Sequence, residues 1–577
     1  MNPFHIRAAI GLLQGIALYA LYRASDHGGW LSLHPLLFSP LLLAAASLPL
    51  LCQTGLGVLR PSRQAAWLAA LAVAVAAFGA HDRWRVGLEH AARSDLMPGA
   101  LAMLGVAMLL FIAWPLILAG ESERRWRASY PAYFDTAWKL GLQLMFSGLF
   151  VGVFWLILNL GAELFALVGI GGLRRLIGEA EFAIPASTLA LSAGLHLSDV
   201  RPGIIQGLRS LLLPLLSWLL PLLVLLVGAF LALLPFTGLD SLWKTGHASA
   251  LLLGASGLLI FLLNTAYQDG SEQPGRVIRL SLRAACLLLA PLQALAAYAL
   301  TLRVGQYGWS PDRVFAASLV ILGACYAAGY GWAALRRQAG LAGVACANIG
   351  AAWLSLALLA AVLTPLADPA RISVSSQLSR LEAGRVAAER FDFDFLRYRG
   401  LRYGHAALLR LKNDPGVDGA VRLKAGDALS EDKPQPKPPA QAVRPRGPVP
   451  LPAGFLAQDW KDWKQAAKRT GELPSCLLDG RNECDAYAGD YSGGGKPEVL
   501  LAEKLAARLS LFQQNAQGLW TLAATYDLPA ACPAPLEALA AGQARAVPPR
   551  LPDLDAGGLR LRPRYPYAPQ ECPVAKK

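Results

Sequence analysis

The stretch Leu211 to Leu234, LLLPLLSWLLPLLVLLVGAFLALL, runs for about two dozen residues without a charge, long enough for a helix to cross the ~30 Å hydrocarbon core of a bilayer. That reading places the chain among integral membrane proteins. Pro214 and Pro221 lie inside the stretch and predict a kink, which a membrane helix tolerates when neighbouring helices or nearby hydroxyls such as Ser217 take up the freed carbonyls.

Similar apolar runs flank it on both sides. They are Ala8–Tyr22, Leu36–Leu59, Ala65–Ala80, Gly99–Ala119, Trp138–Leu160 and Phe182–Leu197 before it, and Ala248–Ala266, Ala284–Leu302, Val314–Ala334 and Val344–Leu366 after it. The expected fold is an α-helical polytopic membrane bundle of about 11 transmembrane helices, followed by a small C-terminal α+β soluble domain. Ala8–Tyr22 and Phe182–Leu197 are short for a span, and Gly161–Ile177 reads as an interfacial segment.

Composition supports the split. The chain has 577 residues, 55% of them hydrophobic, with a mean hydropathy of +0.40. More than half of its charged side chains lie after Leu366. The expected organisation is a transmembrane domain over 1–366, a helical juxtamembrane segment over 367–432, a Pro-rich linker over 433–452 and a small soluble domain over 453–577. In that last domain DWKDWKQAAKR reads as a short helix. PEVLLAEK, ARLSLFQQ and LWTLAATYDL read as strands, with Asn515 to Gly518 turning the last pair.

The net charge of +14 would suggest nucleic acid in a soluble protein. Here much of the excess is arginine in loops between spans, where it sets topology, so nucleic acid is not an expected partner. Arg7 precedes the first span, which lacks a cleavage site and reads as a signal-anchor. With the N-terminus inside, the cytoplasmic loops carry more basic residues than the opposite ones, Arg83, Arg85 and Arg93 being the main exceptions. An odd helix count then exports everything after Leu366, and the lipid bilayer and a periplasmic or envelope protein become the expected partners.

Cysteine usage agrees with export. Cys52, Cys286, Cys325 and Cys346 lie in apolar spans, whereas Cys476, Cys484, Cys532 and Cys572 all fall in the tail. Two disulfides, most simply Cys476–Cys484 and Cys532–Cys572, are the expected state in an oxidising compartment. Zinc would need paired spacing or nearby histidines that the tail does not supply.

Charged and amide side chains in the spans are the candidate functional residues, because a central charge is costly in lipid and faces the bundle or a cavity. Asp135, Lys139 and Gln143 lie one turn apart at the start of the fifth span, Asn159 and Glu163 repeat the spacing at its end, and Asn264 and Gln268 share a face at the end of the eighth. They read as helix-end pairs that hold neighbouring helices, or alternatively as the lining of a path for a small solute or ion. His196 with Asp199 forms a lesser candidate proton or metal pair. Gly254-Ala255-Ser256-Gly257 has the string of rhomboid-like intramembrane proteases, yet no later span carries the histidine such a site needs. In the tail, Gly489 to Glu498 resembles a calcium-holding propeller loop, with Asp490, Ser492 and Glu498 as the only side-chain ligands. No catalytic, cofactor or metal constellation assembles, and there is no GxxxxGK[ST], HExxH or GxSxG string.

Between the ninth and tenth spans the chain reads LRVGQYGWSPDRVFA, Leu302 to Ala316. With IGLLQGIALYALYRA, FWLILNLGAELFALVGI, LNTAYQDG and the junction SSQLSRL…FDFDFLRYRGLRYGHAAL, it resembles the DUF4153 family of bacterial membrane proteins from Ile10 to about Leu411. The resemblance implies a polytopic inner-membrane protein and carries over no catalytic residues. Arg303, Tyr307 and Arg313 of the signature read as a clamp on a helix hairpin, or alternatively as an anion contact.

Overall fold

A computed structural model describes residues 3–26, 30–87, 96–238, 248–271, 274–336, 341–388, 390–430, 439–458, 460, 473–478, 483–503, 508–527, 534–547, 554–556 and 559–561. They divide into two compact units, Met1–Leu429 and Ser430–Lys577.

The first unit is a helical bundle. Its helices are α1 (Pro3–Asp26), α2 (Pro35–Gly55), α3 (Pro61–Val86), α4 (Ala100–Glu123), α5 (Tyr130–Leu167), α6 (Gly172–Gly178), α7 (Ala180–Val200), α8 (Pro202–Ser217), α9 (Leu219–Thr237), α10 (Ala248–Tyr267), α11 (Arg276–Tyr307), α12 (Pro311–Leu335) and α13 (Gly343–Val362). Proline opens several of them, at Pro35, Pro61, Pro202 and Pro311, where its missing N–H has no intrahelical partner to lose. The kink expected in the defining stretch is a break at Trp218 between α8 and α9. Pro221 has no amide for the Ser217 carbonyl one turn earlier. The Ser217 hydroxyl instead ties the break to its surroundings, donating to Leu213 O at 2.6 Å and to Thr265 O of α10 at 3.0 Å.

Among the described residues ten helices are long and apolar enough to cross a membrane, α8 and α9 counting as one. The chain is thus a multi-pass membrane protein. The difference from the expected count is α7, whose 21 residues are diluted by Ser187, Thr188, Ser192, His196 and Asp199. Those side chains serve packing. Helix α7 runs antiparallel to α1, from Tyr19 Oη donating to Glu181 at 3.2 Å to Arg7 donating to Asp199 at 2.7 Å at the other end. Gly11 and Gly15 let the two backbones touch: an added Cβ would meet Ser192 Oγ at 2.1 Å and Pro185 Cα at 2.4 Å. The segment expected along the interface is in its first half a continuation of α5.

After α13 the chain folds back on one end of the bundle as α14 (Pro369–Glu382), α15 (Leu401–Asn413) and α16 (Gly419–Ser430). The Asp/Phe alternation between α14 and α15 buries Phe391 and Phe393 edge to face, 4.9 Å apart, among Leu396, Leu408 and Ala425.

The second unit carries a five-stranded sheet of order β1-β2-β3-β4-β5, formed by β1 (Val443–Pro445), β2 (Cys484–Gly489), β3 (Glu498–Glu503), β4 (Arg508–Gln514) and β5 (Trp520–Asp527). Strand β1 is parallel to β2 and the rest form an antiparallel meander. The three strands and the turn read from sequence are β3, β4, β5 and the Asn515–Gly518 connection. The Pro-rich stretch departs from its expected linker form, because Pro439–Ala442 makes a helical turn and β1 joins the sheet. Proline is accommodated at Pro445 since β1 is an edge strand. The expected helix DWKDWKQAAKR lies outside the described residues except for Trp460. That ring packs at 5.3 to 5.6 Å spacings with Phe455 and Phe512, while Trp520 meets Phe455 at 5.2 Å.

Cys476 and Cys484 form a disulfide eight residues apart in sequence, both sulfurs in this aromatic core; Cys532 and Cys572 lie outside the described residues. A bridge closing so short a loop contributes about 2.5 kcal/mol by chain entropy. A Cys476→Ala/Cys484→Ala variant of the full chain should therefore unfold its second unit at lower denaturant, with the first unit's transition unmoved. An unchanged second-unit transition would show that the bridge does not restrain this unit.

Candidate functional site

The signature loop and α14 build one site together. Helix α11 ends at Tyr307, and Gly308 turns the chain with φ +75. A side chain there is excluded twice, by that dihedral and because a Cβ would meet Arg380 Cδ at 2.7 Å and Gln377 Nε2 at 2.9 Å. Arg303 and Arg313 lie over the Tyr307 ring at 5.9 and 5.5 Å. Arg313 Nη1 also donates to Gly308 O at 2.6 Å.

Helix α14 closes on the loop with three side chains. Gln377 Nε2 donates to Tyr307 O at 3.0 Å and Trp309 O at 3.1 Å. Arg380 donates to Gly305 O at 3.0 Å and Gln306 O at 2.7 Å, and Ser376 Oγ accepts from Trp309 N at 3.1 Å. These bonds satisfy the last carbonyls of α11, which have no intrahelical partner. Beside them opens a cavity of about 740 Å³ whose lining holds Arg371, Arg380, Arg385, Ser375, Ser379 and Trp309, with no carboxylate among the described residues. Such a lining suits an anion.

The start of α14 is fixed by charges from α3. Asp368 is wholly buried; it accepts from Ala370 N at 2.8 Å and Arg371 N at 3.4 Å as the N-cap. The same carboxylate meets His81 Nε2 at 3.2 Å and Arg85 Nη1 at 3.6 Å. Asp82 completes the cluster, pairing with Arg83 at 2.7 Å and Arg85 at 3.2 Å and accepting from Gly99 N at 2.9 Å. Arg83 and Arg85, exceptions to the loop-charge bias in the sequence, are thus neutralised by carboxylates. Arg93 lies outside the described residues. Burial first, then the Asp368 charge, pushes the Tyr403 phenol above its ordinary range.

The polar residues singled out on the fifth and eighth spans do not converge. Asp135 pairs with Arg209 of α8 at 2.7 Å. Lys139 meets Asp199 of α7 at 3.5 Å, and the same carboxylate holds Arg7. His196 lies 3.4 Å from Arg7, so the His196/Asp199 pair is organised around a guanidinium rather than as a metal site. Gln143 is buried, Asn159 donates to the Trp155 carbonyl of its own helix at 2.8 Å, and Glu163 faces Arg174 at 3.8 Å on the surface. Gln268 does not share the helical face of Asn264, because α10 ends at Tyr267 and Gln268 adopts φ +53. Ser256 donates to Leu252 O of its own helix at 2.8 Å.

Asn264 belongs to a network that sequence spacing did not reveal. Its Nδ2 donates to Tyr330 Oη at 2.9 Å, Tyr330 donates to Asn348 Oδ1 at 2.5 Å, and Asn348 Nδ2 donates to Asn264 Oδ1 at 2.6 Å and Tyr130 Oη at 2.8 Å. The ring closes across α10, α12 and α13, and Tyr130 ties it to α5. Asn348, an amide inside an apolar run, was the one signal that could have pointed to it.

In the second unit the β2–β3 loop uses its own acids. Asp490 accepts from Gly494 N at 3.0 Å and Gly495 N at 2.8 Å. The buried Glu498 accepts from Tyr491 N at 2.8 Å and Ser492 N at 2.9 Å, and also from the Ser492 hydroxyl and the Gln513 amide. Burial, followed by the neighbouring Tyr487 and Glu498, pushes the Tyr491 phenol up to about 12.

A bundle of apolar helices capped at one end by post-bundle helices defines a multi-pass helical membrane protein. Residues 11–410 match the family model described as "Domain of unknown function (DUF4153)". The chain belongs to that family, and the match takes in the signature loop, the Asp368 cluster and α14 together. No curated protein and no solved structure matches it.

Proposed function

We propose that the protein is a non-catalytic scaffold of the bacterial inner membrane, whose capped bundle end takes an anionic envelope component in the Arg371/Arg380/Arg385 cavity and whose C-terminal unit is periplasmic. The observation that carries the reading is the cradle itself: a cavity lined by three arginines, with no carboxylate among its described lining residues, beside a loop that α14 holds with five hydrogen bonds. Two features support export of the tail. Counting α7 with the ten apolar spans makes eleven crossings, and the Cys476–Cys484 bridge suits an oxidising compartment.

The test combines sidedness and binding. Thiol labelling of Cys476 and Cys484 in intact and permeabilised cells should find them blocked, with a phosphatase fusion after Lys577 active outside. Titrating the full chain in nanodiscs with inorganic phosphate by calorimetry should give binding that Arg371→Ala/Arg385→Ala weakens about tenfold or more. A cytoplasmic tail with free thiols, or binding indifferent to both arginines, would remove this reading. The competing reading, a transporter or channel for a small solute or ion, draws on the half-buried Asn264–Asn348–Tyr330 network. Proteoliposomes containing the protein should pass protons and potassium no faster than empty ones; flux abolished by Asp135→Ala or Glu163→Ala in folded protein would favour the transporter.

A further inference from the structure

A second cavity, of about 1070 Å³, lies at the opposite end of the bundle, where α3 begins and α4 ends. We propose that it binds an anionic membrane phospholipid, with the headgroup among Arg60, Arg63, Arg124 and Arg125 and an acyl chain against the apolar wall below them.

The two halves of the lining differ in chemistry. Four arginines form the mouth, and among the described lining residues Glu121 is the sole carboxylate. That carboxylate is already engaged, 3.3 Å from Arg63 Nη2 and accepting from Trp67 Nε1 at 2.9 Å. Arg60, Arg124 and Arg125 are left with no acid of their own among the described lining residues. Arg124 is placed at the mouth by the helix end itself: its φ of +55 terminates α4, and its N–H bonds back to the Glu121 and Gly120 carbonyls.

Away from the mouth the wall is Ala113, Leu116, Ile117, Trp353 and Leu356. Ala113 precedes the last residue of α4 by about ten positions, roughly 15 Å at 1.5 Å per residue, half of a ~30 Å hydrocarbon core. Trp353 and Leu356 stand at similar depth within α13. A free anion would satisfy the mouth and leave this wall unfilled; a lipid satisfies both. Trp67 and Trp126, nearer the mouth in the same lining, are the residue type that sits at the headgroup level.

The test uses the full chain purified in detergent, stripped of lipid, and titrated by native mass spectrometry with phosphatidylglycerol or phosphatidylcholine. Phosphatidylglycerol should bind about tenfold or more tightly than phosphatidylcholine. Arg124→Ala/Arg125→Ala should weaken phosphatidylglycerol about 30-fold, from a contribution of order fivefold per interfacial arginine, and leave phosphatidylcholine unchanged. Arg174→Ala/Arg175→Ala, a basic pair elsewhere on the bundle, should change neither. Ala113→Trp, which fills the wall and spares the arginines, should also weaken phosphatidylglycerol.

Equal affinity for the two lipids, or a double variant that binds like the parent, would overturn the proposal. Full displacement of phosphatidylglycerol by 10 mM inorganic phosphate, with Ala113→Trp silent, would replace the lipid with a free-anion site. Should the double variant fail to fold, judged by size exclusion, Arg60→Ala alone carries the test with a loss of about fivefold.

Discussion

Replacing Asp368 with alanine is expected to release α14 from the bundle and cost about 3–5 kcal/mol, the range for removing one partner from a buried ionic cluster. The carboxylate is fully buried, and His81 and Arg85 around it are only about a tenth exposed, so water cannot replace it. Two effects add: Arg85 loses one of its two acids, and the first N–H groups of α14 lose their cap. Asp368→Asn separates them, because asparagine caps as well as aspartate but carries no charge, and the cap alone accounts for about 1 kcal/mol. The measurement is thermal unfolding of the detergent-solubilised protein with trypsin cleavage at Arg371 as the local readout. Unfolding of D368A at the parent temperature, with Arg371 still protected, would show that the cluster does not hold the cradle.

Phe512→Ala should be as damaging to the second unit, by about 3–5 kcal/mol, a large part of the 5–15 kcal/mol by which domains are stable. Phe512 is completely buried and meets two rings, Phe455 and Trp460, on one face of the sheet. Its strand neighbour Leu511 belongs to a separate cluster with Leu500, Leu509 and Leu539. The cavity left by Phe512 opens in the only core that also contains the disulfide. Denaturant unfolding of the full chain should show the second unit's transition lost or shifted to much lower concentration while the first unit's stays put. A shift below about 1 kcal/mol would mean that the aromatic core closes over the gap.

Much of the architecture was legible because it is written in local composition. Long uncharged runs specify spans whatever surrounds them, and the alternation in ARLSLFQQ and LWTLAATYDL specifies strands whose turn, Asn515 to Gly518, is equally local. The Arg303/Tyr307/Arg313 group was found because its members lie within eleven residues. What the sequence hid was pairing between distant segments. Nothing near Arg85 announces Asp368, and nothing near Asn264 announces Asn348 or Tyr330. Strand β2, CDAYAG, is short and made of small residues, so neither periodicity nor propensity marks it. Helix α7 is less apolar than the other spans because its polar side chains face α1 and α5, a fact that only packing supplies.

The contact between His81 and Asp368 joins positions 287 residues apart. A ribosome working at about 5–20 residues per second needs roughly 15–60 s to deliver the second after the first. Through that interval the end of α3 must already be in place, and Asp82 is what makes the wait tolerable: lying beside Arg83 and Arg85 and bonded to the amide of Gly99, it offsets one of their two charges and leaves the other for Asp368 to meet. The cap is therefore the last piece to seat, and a nascent chain that has seated it has synthesised every span. Cells that inspect membrane proteins for exposed charge would find that signal extinguished only on completion, so truncations ending before Ala367 should be degraded faster than those ending after Leu429.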